Sequence, residues 1–133
     1  MPVYHDSDQV CAVMTDLFGR ALNDPATLRE LRSARMVLRL NITDPAAVVT
    51  VDAKSAAPRF QCGPSNARAD LVLHTRMDVI HQVWLNQIKL KDAFFGGQIK
   101  VDGSLLRAMS LGGLFRQIEA MYPVVLRDRG MLS

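Results

Sequence analysis

Lys91 to Met109 reads KDAFFGGQIKVDGSLLRAM. Two adjacent phenylalanines, Phe94 and Phe95, run into the pair Gly96-Gly97. Gln98 to Asp102 then alternates polar and apolar, which predicts a short strand. Asp102-Gly103 makes a turn, and Ser104 offers an N-cap oxygen to the apolar helix that follows. The stretch holds no cluster of acids, bases, thiols or hydroxyls. Apolar surface, glycine and turn residues suit a fold that works by shape rather than by making bonds.

Upstream, the pattern begins with helices. Asp6, Ser7 and Asp8 offer caps, and Val10, Val13, Met14, Leu17 and Phe18 recur at helical spacing. This predicts a helix from about Asp8 to Leu22. Asn23-Asp24-Pro25 breaks it, and Pro25 suits the first turn of a second helix reaching about Leu31. The period then falls to two: Ala34, Met36, Leu38 and Leu40 face one way, Arg35, Val37 and Arg39 the other. A turn at Asp44-Pro45 and a valine-rich strand from Ala47 to Ala53 complete a hairpin. A short strand is expected at Arg59–Cys62, and another at Ala69–Thr75, with Leu71 and Leu73 on one face. Met77, Ile80, Val83 and Trp84 return to helical spacing, and Lys91 to Phe95 is a short helical turn. Downstream, Ser104 to Tyr122 is a long apolar helix. Gly112-Gly113 in its middle costs about 1 kcal/mol per glycine, which predicts a break or kink there. Pro123 blocks simple continuation and leaves a short tail.

Bulk composition narrows the function. The chain has 133 residues, 49% hydrophobic and 22% charged, which fits one globular domain spanning 1–133. Net charge is +3 and the basic residues are dispersed, so nucleic acid is not an expected partner. Arg29, Arg32, Arg35 and Arg39 lie close in sequence. They suit a solvated face, and also anionic lipid headgroups. Seven methionines against 6% aromatics offer adaptable apolar filling. Cys11 and Cys62 form no metal motif. They could pair, but their spacing does not argue for it, and Cys11 reads as a small buried hydrophobe. The N-terminal segment shows no secretory signal and no apolar run approaches a membrane span, so a soluble cytoplasmic protein is expected.

From Ala69 to Leu111 the residues resemble the sterol carrier protein type 2 domain family. Ala69-Asp70 opens a strand that leads into a helix. Ala93-Phe94-Phe95 follows, then glycine, the strand Gln98-Ile99-Lys100-Val101, Gly103, and Leu106-Arg107-Ala108-Met109-Ser110-Leu111. About a third of the chain carries this match; the N-terminal helix and hairpin agree in order only. The family's Asn-Pro before the AFF segment is absent, since Leu90-Lys91-Asp92 stands there. The resemblance implies an α+β fold: a five-stranded, mostly antiparallel sheet covered by helices in two layers, around an apolar cavity. It also implies a ligand such as a sterol, fatty acid, acyl-CoA or phospholipid.

Catalytic sets do not emerge. Ser104 and Ser110 lack a nucleophile motif, and Gly103-Ser104 is not a nucleophile elbow because Leu106 and Arg107 follow. Neither glycine pair fits a phosphate loop. Asp78 and His81 share a helix face and His74 is near in sequence, but a metal site normally needs three or four converging ligands. A solvated face is the plainer reading of that trio. No catalytic residue, metal or cofactor is therefore assigned, and no enzyme activity is expected. The apolar set is the stronger candidate: Ile80, Trp84, Phe94, Phe95, Leu105, Met109, Leu114, Phe115, Ile118 and Met121, on segments that such a fold brings together. An acyl chain buried among them gains about 0.8 kcal/mol per CH₂. Of the adjacent phenylalanines, one faces the core and the other the cavity or the surface. The expected function is non-catalytic lipid binding or transfer, with transient membrane contact and a homodimer as open partners. The competing reading is an accessory or dimerisation module of the same fold with a filled cavity, serving a lipid-metabolising enzyme or pathway.

Overall fold

A computed structural model describes residues 3–55 and 57–132. Helix α1 spans Ser7–Leu22, and Asp6 caps it by accepting from the Gln9 amide at 2.8 Å. Its buried stripe is Val10, Val13, Met14, Leu17, Phe18 and Ala21, the expected face extended by one turn. Asp24 caps α2, Pro25–Ala34, by accepting from both the amide and the hydroxyl of Thr27. Arg35 ends α2 in the left-handed conformation at φ 48°. The first strand therefore starts later than the alternation from Ala34 suggests.

Strands β1 (Val37–Thr43), β2 (Ala47–Asp52) and β3 (Arg59–Cys62) follow as a meander. Then come β4 (Leu71–Arg76), α3 (Met77–Trp84), α4 (Leu90–Phe95) and β5 (Lys100–Asp102). Two helices close the chain, α5 (Leu105–Met109) and α6 (Gly112–Asp128). The sheet order is β3-β2-β1-β4-β5. Its pairs are antiparallel except β1 with β4, which is parallel, so the sheet is mixed. The segment after β3 carries the chain back across the sheet to the free edge of β1.

Register makes one face apolar. Leu40 lies beside Val49 on one side and Leu73 on the other, while Leu38 lies between Val51 and Leu71. Val101 continues the row next to Leu73. All but Val101 are buried, while Arg39, Asn41, Gln61 and Lys100 point to the opposite face. That period of two places a hydrophobic layer on one side and polar groups on the other. Helix α1 packs on β2 and β3, α3 on β4, and α6 lies against α1, α2 and α3. The core lies between the helical layer and this inner face.

Three local expectations need correction. The break before the last helix falls at Ser110-Leu111, and Gly112 opens α6 instead of interrupting a longer helix. Helix α6 also runs through Pro123 to Asp128. Proline costs about 3 kcal/mol in a helix interior. Tyr122, Val125 and Leu126 around it are fully buried, each contributing about 1.5–3 kcal/mol, so packing outweighs the lost hydrogen bond. Finally, Cys11 is half-buried and forms a disulfide with Cys62, joining α1 to the edge strand β3. The Cα atoms are 5.7 Å apart, an ordinary disulfide span. Beside the bridge, Phe18 stacks on Phe60 with centroids 4.9 Å apart.

Candidate functional site

A pocket lies between the inner face of the sheet and the helices. Leu40 and Leu73 form its floor, with Thr75 beside them. Helix α3 supplies Ile80, Val83 and Trp84, α4 supplies Leu90, and α6 supplies Phe115; Ile99 comes from the approach to β5. Each reaches the space for a local reason. Leu40, Leu73 and Thr75 are inward positions of neighbouring strands in register. Ile80, Val83 and Trp84 repeat at three- and four-residue spacing on one stripe of α3. The polar groups on the wall are the Thr75 hydroxyl, which donates to the Gln98 carbonyl at 2.9 Å, and the indole N–H of Trp84. The space thus presents mainly apolar surface. Its volume is about 20 Å³, room for about one water.

The sequence-derived candidates separate into groups. Ile80, Trp84 and Phe115 stand on the pocket wall. Leu114 and Ile118 are buried in the core around it, and Phe94 and Met121 pack half-buried against that core. Met121 also borders an open groove between α1 and α6, beside Thr15, Gly19 and Asn23. Phe95, Leu105 and Met109 lie on the outside; Phe95 is 77% exposed. The phenylalanine pair divides accordingly, one ring against the core and one at the surface. Leu40, Leu73, Val83, Leu90 and Ile99 are wall residues absent from the candidate set. Strand alternation marks Leu40 and Leu73 as inward, and helical spacing marks Val83. The positions of Leu90 and Ile99 depend on how the segment between α3 and β5 folds back.

A polar cluster adjoins the pocket behind Trp84. Tyr122 is fully buried, and its ring meets Trp84 edge-on at 5.3 Å. The Tyr122 and Tyr4 hydroxyls are 2.6 Å apart, and His81 Nδ1 is 2.7 Å from the Tyr122 hydroxyl. One arrangement satisfies all three groups: Tyr4 donates to Tyr122, and Tyr122 donates to a neutral imidazole protonated on Nε2. Burial raises both phenols, Tyr4 to about 12, so both keep their protons. Burial also lowers His81, against the opposing pull of the Asp78 carboxylate. The cluster clasps the N-terminal segment to α3 and α6.

His74 is elsewhere, on β4, where Asn41 Nδ2 donates to its Nδ1 at 3.2 Å. The trio of His74, Asp78 and His81 does not converge: among the described residues no three His, Cys, Asp or Glu side chains approach a common metal position. Among the same residues no helix is long and apolar enough to cross a membrane.

Comparison with known proteins places this architecture. A search of curated protein sequences gives no match. Among solved structures, sterol carrier protein 2 from Yarrowia lipolytica, in its apo form, superposes with a TM-score of 0.69 at 19% identity. That alignment covers 90% of this chain and 98% of the other. The sterol carrier protein domain 2 of Helicoverpa armigera gives 0.65 at 20% identity, covering 80% and 85%. A protein described as UbiJ-SCP2 ubiquinone synthesis protein gives 0.63 at 18% identity, covering 88% and 97%. At these identities the structures share the fold. The sequence itself matches the SCP-2 sterol transfer family over residues 15–116. With most of its length inside that match, including the sheet and the pocket-lining part of α6, the chain belongs to the SCP-2 sterol transfer family.

Proposed function

We propose that this chain, acting as one unit over its whole length, binds a lipid without chemically altering it and holds its apolar part between the sheet and the helical layer. The ligand class is a sterol, fatty acid, acyl-CoA or phospholipid, and Ile80, Trp84 and Phe115 are its first contacts. One observation carries the reading: the pocket wall is apolar on the sides formed by β1, β4, α3, α4 and α6, and its one hydroxyl, on Thr75, is already bonded. Ligand pockets usually measure about 300–1,000 Å³, so the pocket must widen to accept an acyl chain. A cytoplasmic setting belongs to this reading. Reducing compartments keep cysteines as thiols, so Cys11 and Cys62 stand there as a close dithiol and pair under oxidising conditions.

Trp84 makes the test direct, because it is the chain's one tryptophan and lies on the pocket wall. A fluorescent fatty acid that accepts energy from indole should quench Trp84 emission saturably. Gently purified protein should carry a lipid in native mass spectrometry. No quenching with any lipid class, together with a ligand-free mass, overturns the reading.

A second reading is favoured by the small volume. A cavity of about 20 Å³ suits a filled core, in which the fold serves as an accessory or dimerisation module for a lipid-metabolising pathway. The ubiquinone-synthesis protein that shares the fold lends it weight. In that case native mass spectrometry shows protein without lipid, and light scattering shows a dimer or an assembly with another subunit.

A further inference from the structure

The sheet and the helices over it are each held together by directional bonds. In the helical layer, Arg20 of α1 pairs with Asp128 of α6 at 2.9 Å, and Asp16 of α1 pairs with Arg129 at 3.6 Å. Gln9 of α1 donates to the Met131 sulfur at 3.9 Å, and Tyr122 of α6 lies 2.7 Å from His81 of α3. In the sheet, the backbone ladders join every neighbouring pair of strands. Between α1 or α6 and any strand, no hydrogen bond or ion pair runs among the described residues. Apolar packing and one cross-link join these helices to the sheet, and the cross-link is the Cys11–Cys62 disulfide from α1 to β3. Packing is non-directional, and packed faces can part; a disulfide fixes the separation of the segments it joins.

The pocket lies in the gap that this cross-link spans. Phe115 of α6 closes it from the helical side, over Leu40 and Leu73 of the sheet. Widening it requires α6 to rise from the sheet, and the ion pairs to α1 make the two helices one body. The bridge ties that body to the edge strand β3, so it opposes the motion from the far side of the molecule. Cys11 and Cys62 are both half-buried, within reach of small thiols and disulfides in solution. They are the chain's two cysteines, so no third thiol competes for the pairing.

We infer that Cys11 and Cys62 form a redox switch on the gap between the layers, and through it on lipid uptake. As a disulfide the pair holds the helical layer down and keeps the pocket shut. As a dithiol it lets α1 and α6 rise together, and the pocket widens. The inference rests on the lipid-binding reading and adds its regulation. The oxidant is a small disulfide, such as glutathione disulfide. One cysteine thiolate attacks it, forming a mixed disulfide and releasing one glutathione. The other cysteine thiolate attacks the protein sulfur of that mixed disulfide, forming the Cys11–Cys62 bond and expelling the second glutathione. The two protons and two electrons given up by the cysteines end on the two glutathione thiols. Excess dithiothreitol reverses the exchange.

The test compares the full chain oxidised with glutathione disulfide and reduced with dithiothreitol, the thiol state being read by alkylation and mass. cis-Parinaric acid, a fluorescent fatty acid that accepts energy from indole, is titrated against Trp84 emission. The reduced protein should bind it at least about fivefold more tightly than the oxidised protein. Cys11→Ala/Cys62→Ala should bind like the reduced protein and ignore glutathione disulfide. Equal affinity in the two states overturns the inference and leaves the pocket reading in place. So does tighter binding by the oxidised protein, the result expected of a bridge that serves stability alone. A lipid-free measurement separates the two ideas. Trp84 is buried on the pocket wall, so its quenching by acrylamide reports the parting of the layers. Quenching should rise on reduction while far-ultraviolet circular dichroism stays unchanged. If neither form binds the fatty acid, the pocket reading falls; a rise in quenching then keeps the switch on the gap, and equal quenching overturns it.

Discussion

His81 shows how much one residue's surroundings decide. Sequence offers it as a helix-surface group sharing a face with Asp78, where a solvated face is the plainer reading than a metal site. In the fold it accepts from Tyr122, which accepts from Tyr4, a partner 118 positions away from Tyr122. Protonating Nδ1 turns it into a donor. The chain of hydroxyls must then reverse or break, and one buried O–H loses its acceptor. Asp78 from α3 favours the proton, while Arg129 lies near Tyr4, and Tyr122 is the group facing the ring from α6. The balance lowers His81 in the folded protein, so the unfolded chain binds the proton more readily. Stability from this contact is complete above about pH 6.5 and is lost as pH falls from there through the lowered folded value. Urea unfolding followed from about pH 7.5 to about pH 5 should show a loss of about 1 kcal/mol, modest because the ring is half-exposed. His81→Gln should remove that step, while His5→Gln and His74→Gln should retain it. A step that survives His81→Gln assigns it elsewhere. No local pattern marks this clasp, because Tyr4 and Tyr122 meet only after the sheet and both end helices are in place. Helical spacing, by contrast, did mark Ile80 and Trp84 on one stripe of α3.

At the level of elements, α1 and β3 illustrate a coupling that propensity does not carry. Each is legible alone: the apolar stripe marks α1, and the flanking Pro58 and Gly63-Pro64 delimit β3. Their contact depends on the meander placing β3 at the sheet edge under α1, where Phe18 meets Phe60 and Cys11 meets Cys62. The bridge encloses α1 beyond Cys11, α2, β1, β2 and β3, a loop with 51 positions between its ends. Closing such a loop removes disorder from the unfolded chain, worth about 4 kcal/mol by the chain-entropy relation and typically about 2–4. Replacing both cysteines by alanine should therefore lower unfolding stability by about 2–4 kcal/mol relative to the oxidised protein. Dithiothreitol should lower the oxidised protein by a similar amount and leave the double variant unchanged. Equal stability of the two oxidation states would show that the stacked phenylalanines alone fix this edge. Helix α6 teaches the same lesson in reverse. Pro123 reads as a stop, but the buried neighbours on either side hold the helix through it, an effect visible only once α1, α2 and α3 are packed against it.

For the molecule as a whole, the two-layer order and the inner face were legible because β1 and β4 alternate over most of their length and β2 is rich in valine. The parallel neighbourhood of β1 and β4 was not, since a crossover depends on the path of residues 63–70 rather than on either strand. Cavity size is less legible still: it is the difference between two nearly equal volumes, the space framed by the layers and the side chains that fill it. The present closure leaves two accounts, a carrier resting shut and a filled core, and they respond differently when the wall is shortened. Leu73 is buried on the pocket floor beside Leu40. Leu73→Ala should cost the ligand-free protein about 2–5 kcal/mol through lost burial and the cavity left behind. In a carrier that cavity extends space a lipid already enters. Saturating fatty acid, at a hundredfold excess over its dissociation constant, adds about 2.7 kcal/mol to either protein. Fixed total lipid should raise Tm more for Leu73→Ala than for the parent, because the widened pocket binds without first parting the layers. In a filled core the variant loses the same stability, and lipid restores none of it. Differential scanning calorimetry of both proteins with and without fatty acid separates these outcomes. An unchanged Tm in both would identify the filled core.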